Sequence, residues 1–178
     1  MPNPYRTIIV FTTTLYLLSI IQTAQSEAPK GSPSGGRDFK VQGQVYCDPC
    51  RVRFITQLST FLKGATVRLE CRNREQDTNL TFSGEATTDD TGTYHITVDD
   101  DHEDDICEVK LVKSPDPQCS EINLEKNTRY GARVSLAANS GMASNVRMAS
   151  PICFLTNKAH EDCDDLIREI GLAPVNKT

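Results

Sequence analysis

From Phe39 onward, apolar and polar residues alternate in short runs with a period of two, the pattern of strands buried on one face. Phe39 to Tyr46 places Phe39, Val41 and Val45 together. Ala65 to Arg72 aligns Ala65, Val67, Leu69 and Cys71, and Leu80 to Thr87 aligns Leu80 and Phe82. Thr93 to Val98 aligns Tyr94, Ile96 and Val98, and Cys107 to Lys113 aligns Cys107, Val109 and Leu111. Arg129 to Ala137 aligns Tyr130, Ala132, Val134 and Leu136, and the short Ser144 to Met148 pairs Val146 with Met148. Turn formers separate these runs: Asp89-Asp90-Thr91-Gly92, Ser114-Pro115-Asp116-Pro117 and Asn139-Ser140-Gly141. The spacing predicts a mainly β domain, a seven-stranded antiparallel β-sandwich or small barrel. The long βαβ connections of a thioredoxin-like sheet are missing.

Two stretches follow a different period. Val52 to Gly64 carries Phe54, Leu58, Phe61 and Leu62 at spacings of three and four, which predicts a long loop with a helical turn. Ala159 to Ile170 predicts a short C-terminal helix. Cys163, Leu166, Ile167 and Ile170 share one face, acids crowd the first turn, and Gly171 follows. That stripe reads as core packing.

The N-terminus has a third character. Arg6 precedes Ile8-Ile9-Val10-Phe11 and Leu15 to Ile21, and Ala24-Gln25-Ser26 supplies small residues at a cleavage position. This is the plan of a signal peptide. Its apolar stretch of about 14 residues falls short of the roughly 20 that span a bilayer. The expected organisation is a leader over 1–26, a flexible Gly/Pro/Ser-rich segment over 27–38, a β domain over 39–172 and a tail over 173–178. The leader takes one of the 19 basic residues and none of the 24 acidic ones. The exported chain then holds 18 basic against 24 acidic residues, a net charge of −6. Nucleic acid and anionic membranes, both bound through Lys/Arg-rich surfaces, are excluded as partners. Membrane insertion is not expected either, and the predicted location is the extracellular space or cell wall.

Export changes how the cysteines read. Cys47-Asp48-Pro49-Cys50 has the spacing of a redox motif or half a zinc site in a reducing compartment. In an exported chain the same pair supplies two ends of a disulfide framework. A redox site also needs its first cysteine at a helix N-terminus, whereas this pair ends a strand and Arg51-Val52-Arg53 starts a helix poorly. Seven cysteines lie at 47, 50, 71, 107, 119, 153 and 163, and their spacing leaves the pairing open.

Other candidate chemistry is sparse. The run Asp99 to Asp105 is rich in carboxylates but lacks the ligand spacing and central glycine of an EF-hand, so it reads as a solvated hairpin connection. His95, His102 and His160 form no metal-binding spacing. No nucleophile elbow, zinc-protease helix or phosphate loop is present. No metal, cofactor or catalytic residue is therefore expected. Asn79-Leu80-Thr81 and Asn176-Lys177-Thr178 are glycosylation sequons, eligible on the export route.

Phe39-x-Val41-x-Gly43-x-Val45-Tyr46-Cys47-Asp48-Pro49-Cys50-Arg51 closely resembles the signature of the olive-pollen major allergen family, the secreted pollen and extensin-like proteins of plants. The likeness continues in order through Phe54-x-Thr56-x-Leu58-Ser59, Gly64-Ala65-x-Val67-x-Leu69-x-Cys71-Arg72, Asp105-Ile106-Cys107-Glu108-Val109, Lys113-Ser114-Pro115 and the Cys163 helix ending in Gly171-Leu172. It covers essentially the whole β domain and is nearest to the pollen-specific members. The resemblance implies three disulfides, Cys47–Cys119, Cys50–Cys163 and Cys71–Cys107. Cys153 has no place in that pattern; in Pro151-Ile152-Cys153-Phe154-Leu155 it reads as a buried free thiol in a monomer, with an intermolecular disulfide as the alternative. The implied function is non-enzymatic extracellular binding or signalling in pollen development, hydration or tube growth. Its partner would be a receptor-kinase ectodomain, another extracellular protein or a wall polysaccharide. A thiol–disulfide oxidoreductase using Cys47 and Cys50, or a structural wall component, are the alternatives.

Overall fold

The computed structural model describes residues 38–76, 79–122 and 131–171. The leader, nearly all of the 27–38 segment, Asn176 and the tail over 173–178 lie outside the described residues. The elements are β1 (Phe39–Asp48), β2 (Thr60–Phe61), β3 (Thr66–Asn73), β4 (Leu80–Thr87) and β5 (Thr93–Val98). They continue with β6 (Asp105–Lys113), β7 (Gly131–Val134), β8 (Val146–Met148), β9 (Ile152–Leu155) and α1 (Cys163–Glu169).

Alternation builds two sheets. β1 is the centre of the first, with β5 and then β2 antiparallel to it, and β8 and β9 parallel to it. The second is an antiparallel sheet in the order β4-β3-β6-β7. Val41, Val45, Val67, Leu69, Val98 and Val109 close the space between them and are fully buried. Two separate sheets sharing one core make a sandwich and not a closed barrel.

The observed strands depart from the expected ones in instructive ways. Two run parallel, so the fold is not antiparallel throughout. β9 is an additional strand: Ile152-Cys153-Phe154-Leu155 is apolar at every position, which hides the period of two. The two-residue β2 is likewise additional, and no helix forms in Val52 to Gly64. α1 begins at Cys163, later than Ala159.

β8 inverts the expected face. Val146 and Met148 are exposed, and Arg147 between them is buried. Burying a guanidinium is costly unless its donors are satisfied. Here Nε donates to the Ser135 carbonyl at 3.1 Å and Nη2 to the Ala137 carbonyl at 3.2 Å. Nη1 donates to the Ser144 carbonyl. The Phe39 ring lies 4.7 Å beneath the cation. Five donors in a planar fork suit backbone carbonyls converging from several directions, so the charged residue outcompetes its apolar neighbours for the interior.

The turn from β4 to β5 requires its glycine. Gly92 has φ +71°, and a Cβ there would lie 2.7 Å from the Val45 carbonyl oxygen. Further along, Tyr94 pairs across the strands with Gly43, and its ring occupies the space a side chain at 43 would fill. The Tyr94 hydroxyl is fully buried and has no hydrogen-bond partner among the described residues. An unmet buried hydroxyl costs on the order of 1–3 kcal/mol. Tyr94→Phe is therefore expected to stabilise the domain by about 1 kcal/mol, seen as a higher urea midpoint at unchanged slope. A lowered midpoint would show that the hydroxyl contributes to stability.

Candidate functional site: a clamped end and its apolar groove

Each residue of the Cys-Asp-Pro-Cys stretch has a separate task at the end of β1. Cys47 is still in the strand and faces the core, where it bonds to Cys119 with Cα atoms 6.0 Å apart. Two residues past the strand, Cys50 bonds to Cys163 at the start of α1, with Cα atoms 5.4 Å apart. Cys71 and Cys107 face each other across β3 and β6 and form the third disulfide. The first two span 72 and 113 residues, a length at which loop-closure entropy is worth on the order of 4–5 kcal/mol for each bond.

Asp48 determines the direction the chain takes between them. Its carboxylate is fully buried. Oδ1 accepts the Cys50 backbone N–H at 3.0 Å and Oδ2 accepts that of Arg53 at 2.6 Å. Arg51 and Arg53 adopt left-handed backbone with φ 59° and 64°, a region that non-glycine residues enter at a cost. Pro49 supplies a carbonyl to the His160 N–H at 3.1 Å. The Arg51 guanidinium then grips Glu121 through both nitrogens at 2.7 Å and also donates to the Thr156 carbonyl. The hydrogen bonds that Arg51 donates to Glu121 push the Arg51 pKa up and hold Glu121 below the usual carboxylate range.

This geometry leaves no free thiol pair at 47 and 50 for thiol–disulfide exchange. It also removes the one group of metal-type side chains among the described residues. Cys71, His102 and Cys107 come together, but both sulfurs are in a disulfide, and His102 Nδ1 is bonded to Asp105 at 2.7 Å. The acidic run serves the fold: Asp101 accepts the Ala138 N–H at 3.1 Å and Glu103 accepts the Asn139 amide at 2.6 Å. Asn79 is exposed just before β4, while the Thr81 hydroxyl donates to the Cys71 carbonyl and to Asp105. Cys153 is the free cysteine and is half-buried on β9. It stands opposite Tyr46 in the β1–β9 register, and burial pushes its pKa up.

The clamp also creates a surface that sequence periodicity concealed. Phe54, Ile55, Thr56 and Gln57 face Leu166 and Ile170 across a groove of about 380 Å³. Phe54, Ile55 and Ile170 stand exposed at 38%, 46% and 44%. Beneath them Cys50, Cys163 and Leu166 form a small buried cluster separate from the main core. The spacing of Phe54, Leu58, Phe61 and Leu62 predicts a long loop with a helical turn. The left-handed residues at 51 and 53 instead hold Phe54 at the surface.

Fold and site together define a disulfide-clamped β-sandwich whose most conspicuous motif is structural. A family model described as "Pollen protein Ole e 1 like" matches residues 37–171, and the chain belongs to that family. An Olee1-like protein of Betula pendula is 44% identical over 95% of this chain and 96% of its own length. The anther-specific protein LAT52 of Solanum lycopersicum is 45% identical over 77% of this chain and 83% of its own. The crystal structure of the major plantain pollen allergen Pla l 1 superposes with a TM-score of 0.63 at 37% identity, covering 71% of this chain and 99% of that one. The family is described as one of pollen proteins, the tomato relative is named as anther-specific and the plantain one as a pollen allergen, and together they support a pollen-related role.

Removing the Asp48 carboxylate would leave two N–H groups without acceptors. Asp48→Ala is expected to destabilise the domain by about 2–4 kcal/mol. It should also open the 50–59 segment to proteolysis while all three disulfides remain. Unchanged stability and protease resistance would show that the disulfides alone set the loop.

Proposed function

We propose that this chain is an exported, non-catalytic binding protein of pollen that acts outside the cell on a protein partner. The groove between Phe54-Ile55 and α1 is the observation that carries this reading. Three large apolar side chains stand exposed on a frame fixed by the Cys50–Cys163 bond and the Asp48 carboxylate. Buried aromatic and aliphatic anchors contribute most of the energy in protein recognition, and a pre-ordered loop lowers the entropy lost on binding. Three disulfides suit an oxidising compartment, consistent with the leader pattern.

The partner we favour is the ectodomain of a cell-surface receptor acting in pollen hydration or tube growth. Exposed Ile55 and Ile170 favour a protein over a wall polysaccharide, which would need more polar groups at the contact. α1 carries the exposed acids Asp164, Asp165 and Glu169 together with the exposed Arg168, which pairs with Asp165 at 2.9 Å. Asn79, exposed before β4, is the proposed glycan site.

Binding to a panel of pollen receptor ectodomains, measured by interferometry beside a wall-glycan array, tests the proposal. A Phe54→Ser/Ile170→Ser double variant should lose at least roughly tenfold in affinity with its unfolding midpoint unchanged. Retained affinity would move the contact elsewhere, and binding only on the glycan array would favour the wall component. Alkylation of the native protein should label Cys153 alone; labelling of Cys47 and Cys50 would restore the oxidoreductase reading.

A further inference from the structure

A second concavity, lined by other residues than the α1 groove, lies where β9 approaches β6. Leu111 and Ala132 from the second sheet form one part of its wall, and Ile152, Cys153 and Leu155 of β9 form another. Tyr46 of β1 completes it, paired in register with Cys153 of β9, so that both line the same wall. The lining is mainly apolar, and its polar members are Tyr46, Cys153, Ser150 and the cation Arg53.

The volume is about 220 Å³. A buried aliphatic cavity of about 150 Å³ holds benzene, and sites for drug-sized molecules start near 300 Å³. The space thus fits a molecule of one or two rings, or a short branched hydrocarbon of similar bulk.

We infer that this cavity is a binding site for a compact apolar molecule carrying one hydrogen-bonding group, with its body against Leu111, Ala132 and Ile152 and its polar group at the Tyr46–Cys153 pair. A phenol or a small cyclic alcohol has the required chemistry. The polar pair gives such a ligand orientation, because burying its hydroxyl without a partner would cost most of the gain from its rings. No bond to the thiol is involved: burial favours the protonated form of Cys153, which is a poor nucleophile. The site does not depend on the protein partner proposed above, since it shares no residue with the Phe54–Ile170 groove.

The test uses 2-naphthol, two fused rings with one hydroxyl, on the disulfide-intact protein. Saturable binding in ligand-observed NMR is expected. Because Cys153 forms part of the wall, saturating 2-naphthol should slow its alkylation by N-ethylmaleimide at least roughly fivefold. Ala132→Leu and, separately, Ile152→Trp fill the space and should abolish both effects. The alkylation experiment on the unsubstituted protein needs no variant to fold. An alkylation rate unaffected by 2-naphthol would overturn the inference, and so would undiminished binding in a folded Ala132→Leu protein.

Discussion

The buried carboxylate of Asp48 is the constraint on which the clamped end depends. It sits at the last residue of β1 and accepts the N–H groups of Cys50 and Arg53. Without that pair of bonds the left-handed backbone at Arg51 and Arg53 would lose its two buried main-chain anchors, and the Arg51 contacts with Glu121 and Thr156 would remain as its support. The loop so anchored presents Cys47 and Cys50 to opposite sides, one toward the core and the other toward α1. The disulfides fix the ends of this loop, but the carboxylate fixes its path. A motif that resembles a redox centre is thus organised around the residue between its cysteines, and neither sulfur is paired with the other.

Sandwich and clamp divide the burial. The main core is built from aliphatic residues on β1, β3, β5 and β6 and would exist by patterning alone. The buried residues of α1 belong to a separate cluster. That cluster contains Cys50, Cys163 and Leu166, with Val52, Leu58 and Ile167 packed against it. A helix of 7 residues with so small an apolar face has little independent stability. It persists because the Cys50–Cys163 bond closes a span of 113 residues and removes much of the entropy it would gain by leaving. The exposed Ile170 is consistent with this: when a covalent bond holds a helix, its apolar face is free to serve another contact.

The parts of the structure legible in the sequence are those where one physical rule acts alone. Phe39, Val41 and Val45, or Tyr94, Ile96 and Val98, show a period of two because water lies on one side and core on the other. Where both sides are covered the signal vanishes, and β9 was hidden for that reason. Where a charge finds backbone partners the signal inverts, as at Arg147, which displaces Val146 and Met148 outward. The groove was hidden by a coincidence of spacing, since Phe54 and Leu58 lie one helical turn apart although no helix forms there. Its position follows from two backbone conformations that arginine rarely adopts, and side-chain periodicity carries no record of those.

Asp48 and Arg147 apply one device at opposite ends of β1. Arg147 stacks on Phe39, the first residue of the strand, and donates to carbonyls of the 135–144 connection. Asp48, the last, accepts N–H groups of the 49–53 loop. In both cases an ionisable side chain is held inside by peptide groups, the anion by donors and the cation by acceptors. Removing such a group from its backbone partners would strand a charge in a medium that solvates it poorly. The loops at each end therefore cannot shift without a large penalty. Loops set this way present surfaces that are already formed, so any contact made there would meet their shape and side chains as they stand.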